Sequence, residues 1–285
     1  MKAMFAKTWK ALKKATPIYL AVLVVCGVMA NAGIALPSFL QWAYEPVEQT
    51  TAYAAALAEE YEAAQAPQEA IPESINVEAG VFQNTFVNEN GVEIAYVIRV
   101  PEGATMGMPL IVYLHEENIT SIPALAATGA VQAAENIHNN NAIIIQPLCL
   151  NSWAAEYQEA LVRELTQHIM SKFYCDATRV VLTGYDTGAA GVWYYAALQP
   201  EFWCEISPIS SAPVTDIRPM LGHNINCYMM YGEFEVYAIK GDMKRTGEAL
   251  AAAGGSVIRV AMEGAYHDTM RVNAYDEIWF DWACN

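Results

Sequence analysis

From about Val81 to the C-terminus, short apolar runs alternate with amphipathic stretches. The runs VFQNTFV and VEIAYVIRVP flank Asn90-Gly91, a dipeptide suited to a tight hairpin turn. MPLIVYLH reads as an apolar strand, and an alanine-rich helical stretch over Ile122–Ile137 follows it. AIIIQPLCL is a second buried strand. Helical periodicity then runs over Trp153–Phe173, with Leu161, Leu165 and Ile169 on one face. Beyond it come the strand RVVLTG, a helix over Thr187–Leu198, the strands EISPISS and INCYMMYG, a helix over Ala238–Ala253, the strand SVIRVAME and a helix over Met270–Ala283. Continuous apolar strands alternating with amphipathic helices bury both faces of a sheet. The pattern therefore predicts an α/β domain over residues 81–285: a doubly wound, mostly parallel sheet preceded by a β-hairpin. Between Ser211 and Ile225 there is room for a loop and not for a cap domain.

The first 80 residues follow a different pattern. Lys2, Lys7, Lys10, Lys13 and Lys14 form a basic region without an acid, the apolar run Ile18–Met29 follows, and then the small-x-small stretch Ala30-Asn31-Ala32. This order is that of a secretory signal peptide over residues 1–32. An uncleaved anchor is the alternative, although Asn31, Gly33 and Pro37 weaken a membrane helix. Residues 33–80 are expected to form an acidic, disordered spacer. Its part from 41 to 80 holds eight glutamates, eleven alanines and no lysine or arginine, and Pro46, Pro67 and Pro72 interrupt it.

Export changes the charge and redox setting. Removing those five lysines takes the net charge from −16 to −21. A chain this acidic repels nucleic acid and anionic membrane surfaces, so nucleic acid is excluded as a partner and membrane contact is confined to the N-terminal segment. Cys149, Cys175, Cys204, Cys227 and Cys284 remain, an odd number that allows two bridges or a set of buried thiols. None stands in C-x-x-C spacing, so a zinc site is not expected. Glu116, Glu117, Asp186 and His267 offer ligands to a hard cation, but at irregular spacing, and no metal or cofactor is assigned.

In doubly wound sheets ligands bind at the carboxyl ends of the strands. Four groups stand there: His115-Glu116-Glu117 after IVYL, Asp186 after VVLTGY, Glu235 after CYMMYG and His267 after RVAMEGAY. GYDTG has the form of the G-x-S-x-G nucleophile elbow, with Asp186 in place of the serine. His138, His168 and His223 lack partners at ligand spacing and read as solvated. Trp193, Tyr194 and Tyr195 read as core and pocket wall.

The stretch from about Val92 to Trp282 resembles the α/β-hydrolase superfamily, and within it secreted polyhydroxybutyrate depolymerases, feruloyl esterases and predicted-peptidase-type hydrolases. The residues that carry the resemblance are Tyr96 to Pro101, Leu114-His115, Pro147, DATRVVLTGYDTGAAGVW, YGEFE and GAYHDT, with Trp279 and Trp282 closing it. The resemblance implies Asp186 at the nucleophile position, Glu235 as the acid and His267 as the base. It places the oxyanion hole at the backbone N–H of Thr187 and one from the turn at Glu116. That turn departs from L-H-G-x-G, being Leu114-His115-Glu116-Glu117-Asn118, and so is expected to carry negative charge where an oxyanion needs donors.

Three readings of Asp186 stand open. As a covalent nucleophile toward an sp3 carbon it is similar to the aspartate of haloalkane dehalogenases and epoxide hydrolases. Thr187, however, stands where those enzymes carry tryptophan, and their cap is missing. Toward an ester it is a poor nucleophile and can act only as a base on water. In the third reading the fold persists after its serine chemistry is lost, and the pocket is used for binding or not at all; a small-molecule or ester-type substrate is expected only if the protein is active.

Overall fold

A computed structural model describes residues 77–137 and 140–285. The expected signal peptide and all of the spacer before residue 77 lie outside the described residues, as does His138. Eight strands form one sheet: β1 (Gly80–Val87), β2 (Glu93–Val100), β3 (Leu110–Leu114), β4 (Ile143–Pro147), β5 (Val180–Tyr185), β6 (Glu205–Ile209), β7 (Asn226–Gly232) and β8 (Ser256–Met262), in the order β1-β2-β4-β3-β5-β6-β7-β8. The hairpin β1/β2 and the pair β2/β4 are antiparallel, and all pairs from β4 through β3 to β8 are parallel. The mostly parallel, doubly wound sheet with its leading hairpin is therefore the one that the apolar pattern predicts.

Seven helices accompany it among the described residues: α1 (Ile122–Ala126), α2 (Gly129–Ala134), α3 (Glu156–Phe173), α4 (Thr187–Leu198), α5 (Tyr237–Ala252), α6 (His267–Asn273) and α7 (Glu277–Cys284). The strand period of two divides each central strand between two cores. Leu110, Val112 and Leu114 join one core with side chains of α3, α4 and α5, including Leu165, Trp193 and Leu250. Ile111 and Tyr113 join the other with side chains of α1, α2, α6 and α7, including Leu125, Val131, Met270 and Trp279. β3, β4 and β5 are buried throughout, which is why their sequences read as unbroken apolar runs.

Two helical stretches depart from the sequence expectation. The one over Ile122–Ile137 breaks into α1 and α2 because Gly129 has φ of 61°, and its missing side chain makes room for the Tyr113 ring. The one over Met270–Ala283 is replaced by α6 and α7. Asp276 caps α7, accepting the Trp279 N–H at 2.8 Å, so a new helix begins there. Residues 211–225 form a loop with a single 3-10 turn, Arg218–Met220. All five described cysteines are unpaired, and burial pushes their thiols up, that of Cys175 to about 12. No helix of the described residues is long and apolar enough to cross a membrane.

A buried polar pair pins α7 to the sheet. Trp279 Nε1 donates to Ser207 Oγ at 2.8 Å, and that hydroxyl donates to the Tyr228 carbonyl at 2.8 Å. Ser207→Ala leaves the indole N–H unpaired in the core. The expected loss of stability is roughly 1–3 kcal/mol, read as a lower urea midpoint with an unchanged slope.

Candidate active site

β5 ends at the buried Tyr185, and α4 begins two residues later at Thr187. Asp186 makes the turn between them with φ 52° and ψ −114°, a backbone conformation that non-glycine residues rarely adopt. Two contacts hold it there. The Asp186 N–H donates to the Ile209 carbonyl at 3.1 Å, and the Asp186 carbonyl accepts from the Ala190 N–H at 3.0 Å. The turn closes only because residue 188 is glycine, since any Cβ there runs into the Leu114 carbonyl of β3. The Asp186 side chain caps no N–H of α4 and is 39% exposed.

Glu235 follows β7, and its side chain is fully buried. Its Oε1 accepts the Val236 N–H at 2.9 Å, and its Oε2 lies 2.9 Å from Nδ1 of His267. A buried carboxylate at that distance assigns a proton to Nδ1, and the ring then presents Nε2 to Asp186 Oδ1 at 3.6 Å. That separation is an ion-pair distance and not a hydrogen bond. His267 opens α6, whose start is set by Thr269 Oγ1 accepting the Tyr266 N–H at 2.9 Å. Tyr185 supports it from below: its hydroxyl donates to the His267 carbonyl at 3.2 Å, and its ring is tilted against the imidazole at 5.3 Å. Burial pushes the Tyr185 hydroxyl up, with help from the negative charges of Asp186, Asp268 and Glu116, so it remains a donor. The structure thus brings Asp186, Glu235 and His267 together from three separate strand ends. Phe234 and Tyr266 stand exposed beside Glu235 and His267, their rings 4.8 Å apart.

The turn after β3 is built differently from its sequence expectation. Glu117 is exposed, but Glu116 is only 4% exposed and directs its carboxylate inward. Tyr113 Oη donates to Glu116 Oε2 at 3.1 Å, and Arg271 Nη1 lies 3.5 Å from Oε1. The negative charge of Glu116 is therefore countered within the protein. Neither the Thr187 N–H nor the Glu116 N–H donates to an acceptor among the described residues. Arg271 was not anticipated from sequence. The signal for it, a cation four residues after His267, exists only if the helix starts at His267 and not at Met270.

His115 serves the architecture. It is 1% exposed, its Nε2 accepts the Cys149 N–H at 3.0 Å, and its Nδ1 lies 2.6 Å from the Glu116 carbonyl, which assigns the proton to Nδ1. Trp153 Nε1 donates to the His115 carbonyl at 2.8 Å. His168 is exposed and His223 half-buried, while Trp193 and Tyr195 lie in the core. Among the described residues no cluster of three or more histidine, cysteine or acidic side chains is arranged to hold a metal ion. A cavity of about 580 Å³ opens beside Arg99, Glu102, Glu135 and Asn140, between the amino ends of β1 and β4 and the carboxyl end of β2, and includes none of the site residues.

Burial lowers the His115 pKa from its ordinary value. Between the ordinary and the lowered value the unfolded chain binds a proton that the folded chain excludes, so stability is full above this window and is lost as pH falls through it. Protonation also removes the acceptor facing the Cys149 N–H. Urea midpoints measured from about pH 8 to about pH 5, across the ordinary histidine range, are expected to fall more steeply in the natural chain than in His115→Gln.

No family model matches the sequence, and no curated protein does. Solved structures do resemble the domain. A thermostable esterase aligns with a TM-score of 0.59 at 21% identity, over 71% of this chain and 62% of its own. The alignment thus spans less than two-thirds of that esterase. A serine-to-alanine mutant of the feruloyl esterase module from Clostridium thermocellum, complexed with sinapinate, gives 0.56 at 14% identity, over 74% of this chain and 89% of its own. A fluorophosphonate-binding serine hydrolase from Staphylococcus aureus gives 0.58 at 12% identity, over 73% of this chain and all of its own. With its eight-stranded sheet, its elbow after β5 and these structural neighbours, the chain has the α/β-hydrolase fold.

Proposed function

We propose that this is an exported α/β-hydrolase-fold protein of esterase-like ancestry whose cleft binds a small-molecule or ester-type ligand without serine-type hydrolysis. The observation that carries the reading is the identity and position of Asp186: a carboxylate, 3.6 Å from His267 Nε2, in the strained turn where a serine hydroxyl is needed. A serine there loses its proton to the imidazole as it attacks the carbonyl. A carboxylate has no proton to lose, and its attack on an ester gives an anhydride only by expelling the more basic alkoxide. Ground-state and transition-state energies both oppose that step. His267 lies between Glu235 and Asp186, with Nδ1 2.9 Å from the first carboxylate and Nε2 3.6 Å from the second. The signal peptide over residues 1–32 and the spacer over 33–80 belong to the same proposal and place the domain outside the cell, tethered if the leader is retained.

A second reading has three observations in its favour. The elbow strain is retained, Asp186 is partly open to solvent, and the N–H groups of Thr187 and Glu116 lack acceptors among the described residues. Together these suit a carboxylate that attacks an sp3 carbon, breaking its bond to halide or the C–O bond of an epoxide. Water activated by His267 then adds to the carbonyl of the resulting ester and releases the alcohol, restoring the carboxylate.

Turnover of p-nitrophenyl acetate separates these readings. The natural chain from residue 33 onward is expected to match the buffer rate, and Asp186→Ser to exceed it by roughly 10²–10⁴-fold. Adding His267→Ala to Asp186→Ser is expected to remove that gain. Turnover by the natural chain that disappears in His267→Ala sinks the binding reading. Incubation with haloalkanes and epoxides is expected to leave the mass of the Asp186 peptide unchanged, and an alkyl adduct on Asp186 establishes the second reading instead. Export is checked by N-terminal sequencing of the protein recovered outside the cell, which is expected to begin at Gly33.

A further inference from the structure

We infer that Arg271, paired with Glu116 in the turn after β3, forms with it a positioning pair that seats His267 against Asp186. The inference rests on the reading that His267 and Asp186 act as one site. Arg271 lies four residues beyond His267 on α6, one turn along the same face, so a force on its guanidinium acts on the helix turn that carries the imidazole. Its Nη1 lies 3.5 Å from Glu116 Oε1. That oxygen is buried and makes no hydrogen bond, so Arg271 is its only counter-charge among the described residues. The other oxygen, Oε2, accepts from Tyr113 Oη at 3.1 Å, and burial keeps the Tyr113 hydroxyl protonated as that donor.

The pair differs from an ordinary surface ion pair. The Glu116 side chain is 5% exposed and that of Arg271 is 52% exposed, so the carboxylate is fixed and the cation comes to it from α6. A buried carboxylate deprived of its partner is strongly unfavourable, whereas surface pairs contribute little. Besides the core packing of Met270, three polar contacts hold α6: Glu235 at the imidazole, Tyr185 at the His267 carbonyl, and Glu116 one turn further on. The first two act on His267 itself, and the third acts one turn along the helix that carries it. Glu116 thereby acts on the site through Arg271 and not through a ligand oxygen.

The tilted stacking of His267 on Tyr185 supplies a position-sensitive signal, because the aromatic ring current displaces the imidazole Cε1–H resonance. In the full chain, this resonance is recorded on the alkaline plateau, where the imidazoles are neutral, and assigned by its loss in His267→Ala. It is expected to lie away from the free-histidine position in the natural chain. In Arg271→Gln it is expected to return most of the way to that position, and in Arg271→Lys, which keeps the charge, to stay near the natural one. An unchanged resonance in Arg271→Gln, an equal loss in Arg271→Lys, or a natural chain already at the free position overturns the inference. If Arg271→Gln does not fold, Glu116→Gln, which strands no buried charge, carries the same comparison with the same expected direction. The measurement needs no turnover. Failure of the site reading shows instead as ester hydrolysis by Asp186→Ser that survives His267→Ala.

Discussion

The contact between the start of α4 and the end of β3 governs the geometry of the candidate site. Gly188 lies against the Leu114 carbonyl so closely that no side chain fits, and this approach forces the chain through the left-handed turn at Asp186. The same contact brings the Thr187 N–H and the turn at Glu116 to one end of the sheet. The turn is strained for any residue but glycine. The packing of β5, α4 and β3 holds this shape with an aspartate at the turn. A structural cost of this size persists only where the surroundings over-determine it.

Around this turn the charges form two groups. His267 stands between Asp186 and the fully buried Glu235, and Glu116 stands between Tyr113 and Arg271. Each group joins a strand end to α6, so the helix that carries the imidazole is gripped by both. The glutamate in the turn after β3 therefore has a different physical meaning from the one its sequence suggests. A side chain that reads as a repulsive charge at an oxyanion position is turned into the protein and paired.

Much of the fold was legible because the central strands are buried on both faces. IIIQP and VVLTGY have no polar side to obscure them, and their ends fall close to the expected positions. The helix after the elbow was legible in full, Thr187 to Leu198, because a glycine turn and a run of helix formers delimit it. The breaks at Gly129 and Asp276 were not legible. Gly129 is required by the ring of Tyr113 lying against it, and Asp276 acts by capping Trp279, so each depends on packing or local geometry that periodicity does not record. Asp186, Glu235 and His267 could be named from sequence because each follows a strand that the pattern reveals. Arg271 could not, because its role depends on where α6 begins.

The sequence by itself determined the layered α/β architecture, the elbow and the identity of the residues at the strand ends. Hydrophobic period and turn chemistry are local properties, and they are written directly in the order of residues. Tertiary structure alone decided which way those side chains face. It turned Glu116 inward to Arg271, buried Glu235 behind His267, made His115 a neutral brace, and left Asp186 at 3.6 Å from the imidazole. The physical reason is that a charge takes its character from burial and from partners brought from distant parts of the chain, and neither is a property of the residue's own neighbours in sequence.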